Sequence, residues 1–229
     1  MVAVIGDIHG CYYTLIELFG KIKGKYPDAD VYSVGDLVDR GNFSYEVVDF
    51  FITEKIKFTP GNHDYMFYFF IKYPVSDFGR TWLYNGYETT IASYDNRFEK
   101  VQAHLDFIKE QPLFLNLKDC FISHAGVSRY YKSKVPKDYR ENLNSLDDLV
   151  KTEFYSEHGV LWTRDELLDL GKLQVVGHTR HPEVTHKKYN NSIYIDTSVY
   201  TGNKLSAIIV EESNILDTIS EPTDSRDIE

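Results

Sequence analysis

The chain has little of what marks a secreted, membrane-spanning or nucleic-acid-binding protein. Two of its 229 residues are cysteine, Cys11 and Cys120. Both adjoin apolar runs and lie far apart, so two buried free thiols in a reducing compartment are expected rather than a disulfide framework. No uninterrupted apolar stretch reaches the ~18 residues that a membrane span needs. Basic residues are outnumbered 25 to 35, for a formal net charge of −10. That balance argues against a nucleic-acid surface, which needs a basic footprint to displace counterions. There is no internal repeat and no linker-like segment. The first candidate site residue follows at once on the opening strand-like run, so no removable leader is expected. These absences leave a cytoplasmic monomer as the expectation, with neither membrane nor nucleic acid as partner.

What remains is an ordinary globular composition, 42% hydrophobic and 26% charged, at a length that suits one domain. Met1–Ile5 is almost wholly apolar and β-branched, the pattern of a strand buried on both faces. Residues 13–25 carry apolar side chains at helical spacing, 31–34 read as a second strand, 45–53 as a second helix and 56–59 as a third strand. Strand–helix–strand–helix–strand predicts a parallel sheet with right-handed crossovers. Residues 65–110 read as a cap-like insertion, aromatic-rich to Tyr94, then helical from Arg97 to Glu110. Its rings are expected mainly to pack the cap onto the sheet. Further short strands are expected at 113–117, 120–123 and 172–176, with a helix over 146–152. Residues 192–195 and 205–210 read as antiparallel strands completing the second half. Residues 1–212 thus form one domain, and 213–229 an acidic tail whose last ten residues are expected to be disordered.

The chemistry gathers where strands end. Gly35-Asp36-Leu37-Val38-Asp39-Arg40-Gly41 follows the second strand, Gly6-Asp7-Ile8-His9-Gly10 the first, and Gly61-Asn62-His63-Asp64 the third. Ser123-His124-Ala125-Gly126 and Gly177-His178-Thr179 follow later strands. Ligands of open α/β sheets bind at such carboxyl edges. Asp7, His9, Asp36, Asn62, His124 and His178 are therefore candidate metal ligands. Mixed carboxylate, imidazole and amide donors suit Mn, Fe, Zn or Co rather than Ca. Six donors exceed what one tetrahedral ion uses, so two divalent ions fit better, Mn being the first choice. Taken singly, each Asp could be a helix cap and each His a satisfied core residue. Five such stretches in order favour the site.

In this order and spacing the stretches resemble the motifs of metallophosphoesterases, and among them the phosphoprotein phosphatase family in its compact bacterial and phage branch. Tyr194-Ile195-Asp196-Thr197 is also similar to that branch. The resemblance implies an α/β/β/α sandwich with mixed sheets and outer helices. It implies that Asp7 and His9 hold one ion, Asn62, His124 and His178 the other, and that Asp36 bridges them. A hydroxide shared by the ions would attack phosphorus directly. Arg40 and Arg164 would hold the phosphate, His63 would protonate the leaving oxygen, and Asp39 would orient His63. The activity implied is hydrolysis of phosphoserine and phosphothreonine in proteins. A symmetrical bis(5'-nucleosyl)-tetraphosphatase acting on diadenosine tetraphosphate uses nearly the same motifs, and a non-catalytic metal-binding module is the remote alternative. Partners are then a phosphorylated protein or a small phosphoester.

The chain departs from the family pattern at Pro60, where Arg is common, at Asp64 for Glu, at Ser198 for Gly, and at Arg180, where other metallophosphoesterases supply a histidine. His104, His158, His181 and His186 lack a strand-end context and are expected at the surface.

Overall fold

In the computed structural model, which describes residues 1–229, the alternation within the opening strand decides the layering. From β1 (Val2–Ile5), Val2 and Val4 point to one side, into a core shared with Ile122, Val175, Ile193, Ile208 and Val210. Ala3 and Ile5 point to the other, against Leu15, Leu18 and Ile22 of α1 (Tyr12–Lys25) and Val47, Val48 and Phe51 of α2 (Ser44–Thr53). A period-two run buried on both faces thus sits between a helical layer and a second sheet.

The first sheet continues through β2 (Asp30–Ser33) and β3 (Lys57–Phe58), both parallel to their neighbours, as predicted. Next come the cap helices α3 (Asn62–Lys72), α4 (Asp77–Thr81), α5 (Glu88–Ser93) and α6 (Phe98–Glu110). The second sheet contains β4 (Phe114–Asn116), β5 (Phe121–Ser123), β6 (Gln174–Val176), β7 (Thr185–Lys187) and β8 (Ser192–Tyr194), in the order β4-β5-β6-β8-β7. Its outer face is covered by the segment carrying α7 (Asp147–Thr152), through Leu143, Leu146 and Val150 against Phe121. The α/β/β/α sandwich with mixed sheets is as expected.

Three expectations are corrected. The strand at 192–195 is antiparallel only to the edge strand β7; to β6 it is parallel, because the β7–β8 hairpin turns the chain back into the direction of β6. The strand expected at 205–210 is antiparallel as predicted: it is β9 (Lys204–Glu211), paired with β1 in the first sheet. The acidic tail is ordered: β10 (Asn214–Pro222) pairs with β9 over nearly its whole length. Its last residues fold back, and Asp227, fully buried, accepts hydrogen bonds from Tyr13 N, Thr14 N and Thr14 Oγ1 at 3.0, 2.9 and 2.6 Å. Backbone pairing tolerates polar side chains, which is why composition misled. His104 is also not at the surface: it is buried in α6, and Tyr94 Oη lies 2.8 Å from its Nδ1. His186 is exposed, while His158 and His181 are half-buried. Cys11 and Cys120 are buried free thiols, as predicted.

Candidate metal centre

Each sheet delivers three parallel strands to one edge, and every candidate ligand follows one of them. Asp7 and His9 follow β1, Asp36 follows β2, Asn62 follows β3, His124 follows β5 and His178 follows β6. The loops turn sharply there. His9, Asp36, Asp39, Arg40 and His178 all have left-handed backbone, with φ of 47°, 50°, 72°, 76° and 59°. Non-glycine residues held in that region cost about 1–3 kcal/mol each and persist only where surrounding structure enforces them. The flanking glycines have a different job: a side chain at Gly61 would collide with the Asp36 carboxylate, and one at Gly177 with that of Asp7.

Each of the three histidines is anchored by one ring nitrogen against a backbone carbonyl. His9 Nδ1 lies 3.1 Å from Val38 O, His124 Nδ1 lies 2.8 Å from Val34 O, and His178 Nε2 lies 3.2 Å from Trp162 O. A ring nitrogen facing a carbonyl must donate, so the other nitrogen of each ring turns a lone pair inward. His124 Nε2 and His178 Nδ1 converge on Asn62 Oδ1 at 3.1 and 3.0 Å. Asp36 Oδ2 is 3.5 Å from both His9 Nε2 and His124 Nε2. Two sets of ligand atoms lie within 4.8 Å of one another, His9, Asp36 and His63 in one and Asp7, Asp36 and His124 in the other. Asp36 is the common member, and His63 comes as near as the expected ligands.

The donor set fits divalent cations. Asp7 Oδ1 is buried and accepts no hydrogen bond. Burial, followed by the neighbouring carboxylates Asp196 and Asp36, pushes the Asp7 carboxyl well up. Burial lowers His9 and His178 well below the usual imidazole range, helped by Arg40 for His9 and by His124 and Arg164 for His178. Burial lowers His124 too. For Asp36 burial works against the charged form, yet the imidazoles of His124, His63 and His9 outweigh it and hold the carboxyl low. Neutral imidazoles beside crowded buried carboxylates make a ligand set that a dication neutralises.

The expected catalytic side chains adjoin this cluster. His63 Nδ1 is 2.7 Å from Asp39 Oδ2. Asp39 is not paired with its neighbour Arg40. Instead it takes Trp82 Nε1 at 2.9 Å and Thr90 Oγ1 at 2.7 Å from the cap. Burial raises Asp39, and the bonds from His63, Thr90 and Trp82 hold that rise back. Asp64 stitches two motif loops together, accepting from Leu37 N and Gly61 N at 2.8 Å each. Burial and Asp36 push its carboxyl up to about 8. Arg40 Nη1 donates to His9 Nε2 at 2.8 Å, and its guanidinium lies 4.3 Å from the centre of the Tyr200 ring. Arg164 is exposed and reaches His178 O at 3.5 Å. Its sequence neighbours are engaged elsewhere, Asp165 with His158 and Glu166 with Arg129.

A cavity of about 140 Å³ opens over the centre, lined by Asp7, His9, Asp36, Asn62 and His178 together with Arg40 and Arg164. His124 is buried behind it. Asp196, Arg180, Tyr200 and Asn85 also line it and were not foreseen. Asp196 follows β8 as the ligands follow theirs, and reading that strand as antiparallel hid it. Burial, opposed by a hydrogen bond from Ser198 N, leaves its carboxyl at about 6. Ser198, where glycine is common in the family, has a left-handed φ of 61°. The larger cavity of about 870 Å³, walled by Tyr65, Tyr68, Phe69 and Tyr155, contains none of these groups.

This fold and donor set define a metal-dependent phosphoester hydrolase. The calcineurin-like phosphoesterase family matches residues 1–214, and the chain belongs to it. The chain is 31% identical over 225 residues to a bis(5'-nucleosyl)-tetraphosphatase PrpE (asymmetrical) of Bacillus velezensis, covering 89% of this chain and 86% of that protein. It superposes on a cold-active protein-tyrosine phosphatase of a psychrophilic Shewanella with a TM-score of 0.66 at 21% identity, over 97% of this chain and 80% of that one. A protein serine/threonine phosphatase from Saccharomyces cerevisiae gives 0.61 at 17%, over 97% and 79%. The two structural likenesses show that the fold is shared. No helix is long and apolar enough to cross a membrane.

Proposed function

We propose that the chain is a two-metal hydrolase of dinucleoside polyphosphates. The observation that carries this reading is the convergence of Arg40, Arg164 and Arg180 on the cavity that holds the donor set. Three guanidiniums offer more positive charge than one terminal phosphate needs. The name of the Bacillus velezensis relative supports the same substrate class. Asp7, His9, Asp36, Asn62, His124 and His178 would hold the ions. When bound, two divalent cations supply a nucleophile at neutral pH and neutralise phosphate charge, and Mn is the first choice. The residues then divide the remaining work. Arg40 and Arg164 hold the oxygens of the phosphate under attack. His63, positioned by Asp39, gives a proton to the leaving oxygen as the P–O bond breaks. Asp39, itself fixed by Trp82 and Thr90, keeps the His63 ring turned so that its other nitrogen faces the cavity.

A second reading, hydrolysis of phosphoserine and phosphothreonine in proteins, is favoured by the small size of the cavity, which has room for a single phosphate. Turnover of diadenosine tetraphosphate and of a phosphoserine peptide with added Mn separates the two. Exclusive cleavage of the peptide overturns the first. The nucleotide products decide a further point: AMP with ATP means asymmetrical cleavage, as the relative's name says, and ADP alone means the symmetrical cleavage that the sequence suggested. No hydrolysis of any phosphoester with Mn, Fe or Co would leave only a metal-binding module.

A further inference from the structure

A second cavity, of about 520 Å³, adjoins the metal cavity and shares two residues with it, Arg164 and Arg180. Its other walls are Thr179, His181, Pro182, Ser198, Thr201 and Asn203. No carboxylate lines it, in a chain whose net charge is −10. The arginines of the groove also differ from most others in the chain. Arg97, Arg129, Arg140 and Arg226 each pair with a carboxylate, whereas Arg40, Arg164 and Arg180 pair with none, as does Arg80 alone among the arginines outside the two cavities. Unpaired guanidiniums gathered on one face of an acidic protein are suited to an anion from outside.

Arg180 is held for that task. Its Nη1 donates to Tyr200 Oη at 2.8 Å, and the centre of the same ring lies 5.9 Å from the Arg180 guanidinium and 4.3 Å from that of Arg40. Tyr200 thus touches both cations, and its hydrogen bond with Arg180 uses only one of the guanidinium nitrogens.

We propose that this adjoining cavity is a second anion subsite, taking the phosphate linked to the one at the metals, and that Arg180 makes the enzyme select phosphoanhydride chains over single phosphoesters. Arg164, common to both cavities, spans the junction. The proposal rests on the reading of the metal cavity as the phosphate site and names what lies beyond it.

The test compares the parent with Arg180→Ala and Arg180→Lys. Hydrolysis of 4-nitrophenyl phosphate is measured with Mn in excess, and orthophosphate and tripolyphosphate serve as competing inhibitors. In the parent, tripolyphosphate should bind roughly tenfold or more tighter than orthophosphate, the worth of one added charge-assisted contact. Arg180→Ala should abolish most of that difference and Arg180→Lys should keep part of it. The ratio of kcat/KM for diadenosine tetraphosphate to that for the aryl phosphate should fall about tenfold in Arg180→Ala. Equal inhibition by the two anions in the parent, or an unchanged inhibition ratio in Arg180→Ala, overturns the subsite. A parent that cleaves phosphopeptides and no dinucleotide overturns the substrate reading instead, and the inhibition ratio still decides the subsite.

Discussion

Nδ1 of His63 lies 2.7 Å from Oδ2 of Asp39, and the carboxylate is closed in by Trp82 and Thr90 from the cap. Both members of the pair are buried, at 2% and 0% exposure. A contact so enclosed fixes which nitrogen of His63 faces the cavity. Replacing His63 by Asn should therefore lower kcat by roughly 10²–10⁴, the usual worth of general acid catalysis, and leave the bound metal content unchanged. Metal analysis beside steady-state kinetics checks this, and a variant as fast as the parent rules out the acid role.

Trp82 is the cap's contribution to that pair, since its indole N–H reaches both Asp39 oxygens at 2.9 Å. Trp82→Phe keeps the apolar bulk and removes the donor. It should cost about 1–3 kcal/mol of stability, because a buried carboxylate loses a partner. It should also slow turnover several-fold, through a misplaced His63. In a cycle with Asp39→Asn the two losses of rate should not add, since both act on one contact. Additive losses would mean that Trp82 affects activity by some other path.

Arg164 reaches over the cavity without a carboxylate partner, its neighbours Asp165 and Glu166 being taken by His158 and Arg129. Arg164→Ala should raise KM and lower kcat for phosphoesters, together roughly 10- to 100-fold in kcat/KM, with metal content and stability close to the parent's. Kinetics on an aryl phosphate that match the parent's would remove Arg164 from the phosphate grip.

The sequence made the ligand edge legible because parallel strands announce themselves as apolar runs, and each donor follows one at once. That rule alone brings out Asp7, His9, Asp36, Asn62, His124 and His178 as candidates, and the structure gathers them at one edge. Asp196 obeys the same rule after β8 and was missed because the direction of a three-residue strand is set by its tertiary partners, not by its composition. His104 sits between Val101, Leu105 and Ile108 on the inward face of α6, so its burial could be read from helical period, and only its polarity argued otherwise. Trp82 and Thr90 could not be paired with Asp39 by any local pattern, since more than forty residues separate them in the chain. The left-handed backbone at His9, Asp36 and His178 leaves only a weak mark in residue type, since Asp and His are enriched in that region without being confined to it.

The tail holds the most distant of these relationships. α1 begins after Cys11, which offers no side-chain cap, and its first amide groups are met by Asp227. A carboxylate at a helix N-terminus satisfies orphan N–H groups and complements the helix dipole. The same residue's carbonyl accepts from Asn42 N at 2.9 Å, and Asn42 Nδ2 donates to Arg226 O and Glu229 O. The tail thus ties the helix that follows His9 to the loop that carries Asp39 and Arg40. Asp227→Ala should cost about 1–2 kcal/mol, the usual loss for a helix cap, and Asp227→Asn less, since the amide oxygen still accepts. Removal of residues 224–229 should cost at least as much and should also weaken turnover, because both motif loops lose a brace. Chemical denaturation of the three variants gives the order. A truncated chain as stable and as active as the parent would show that the tail merely rests on the domain.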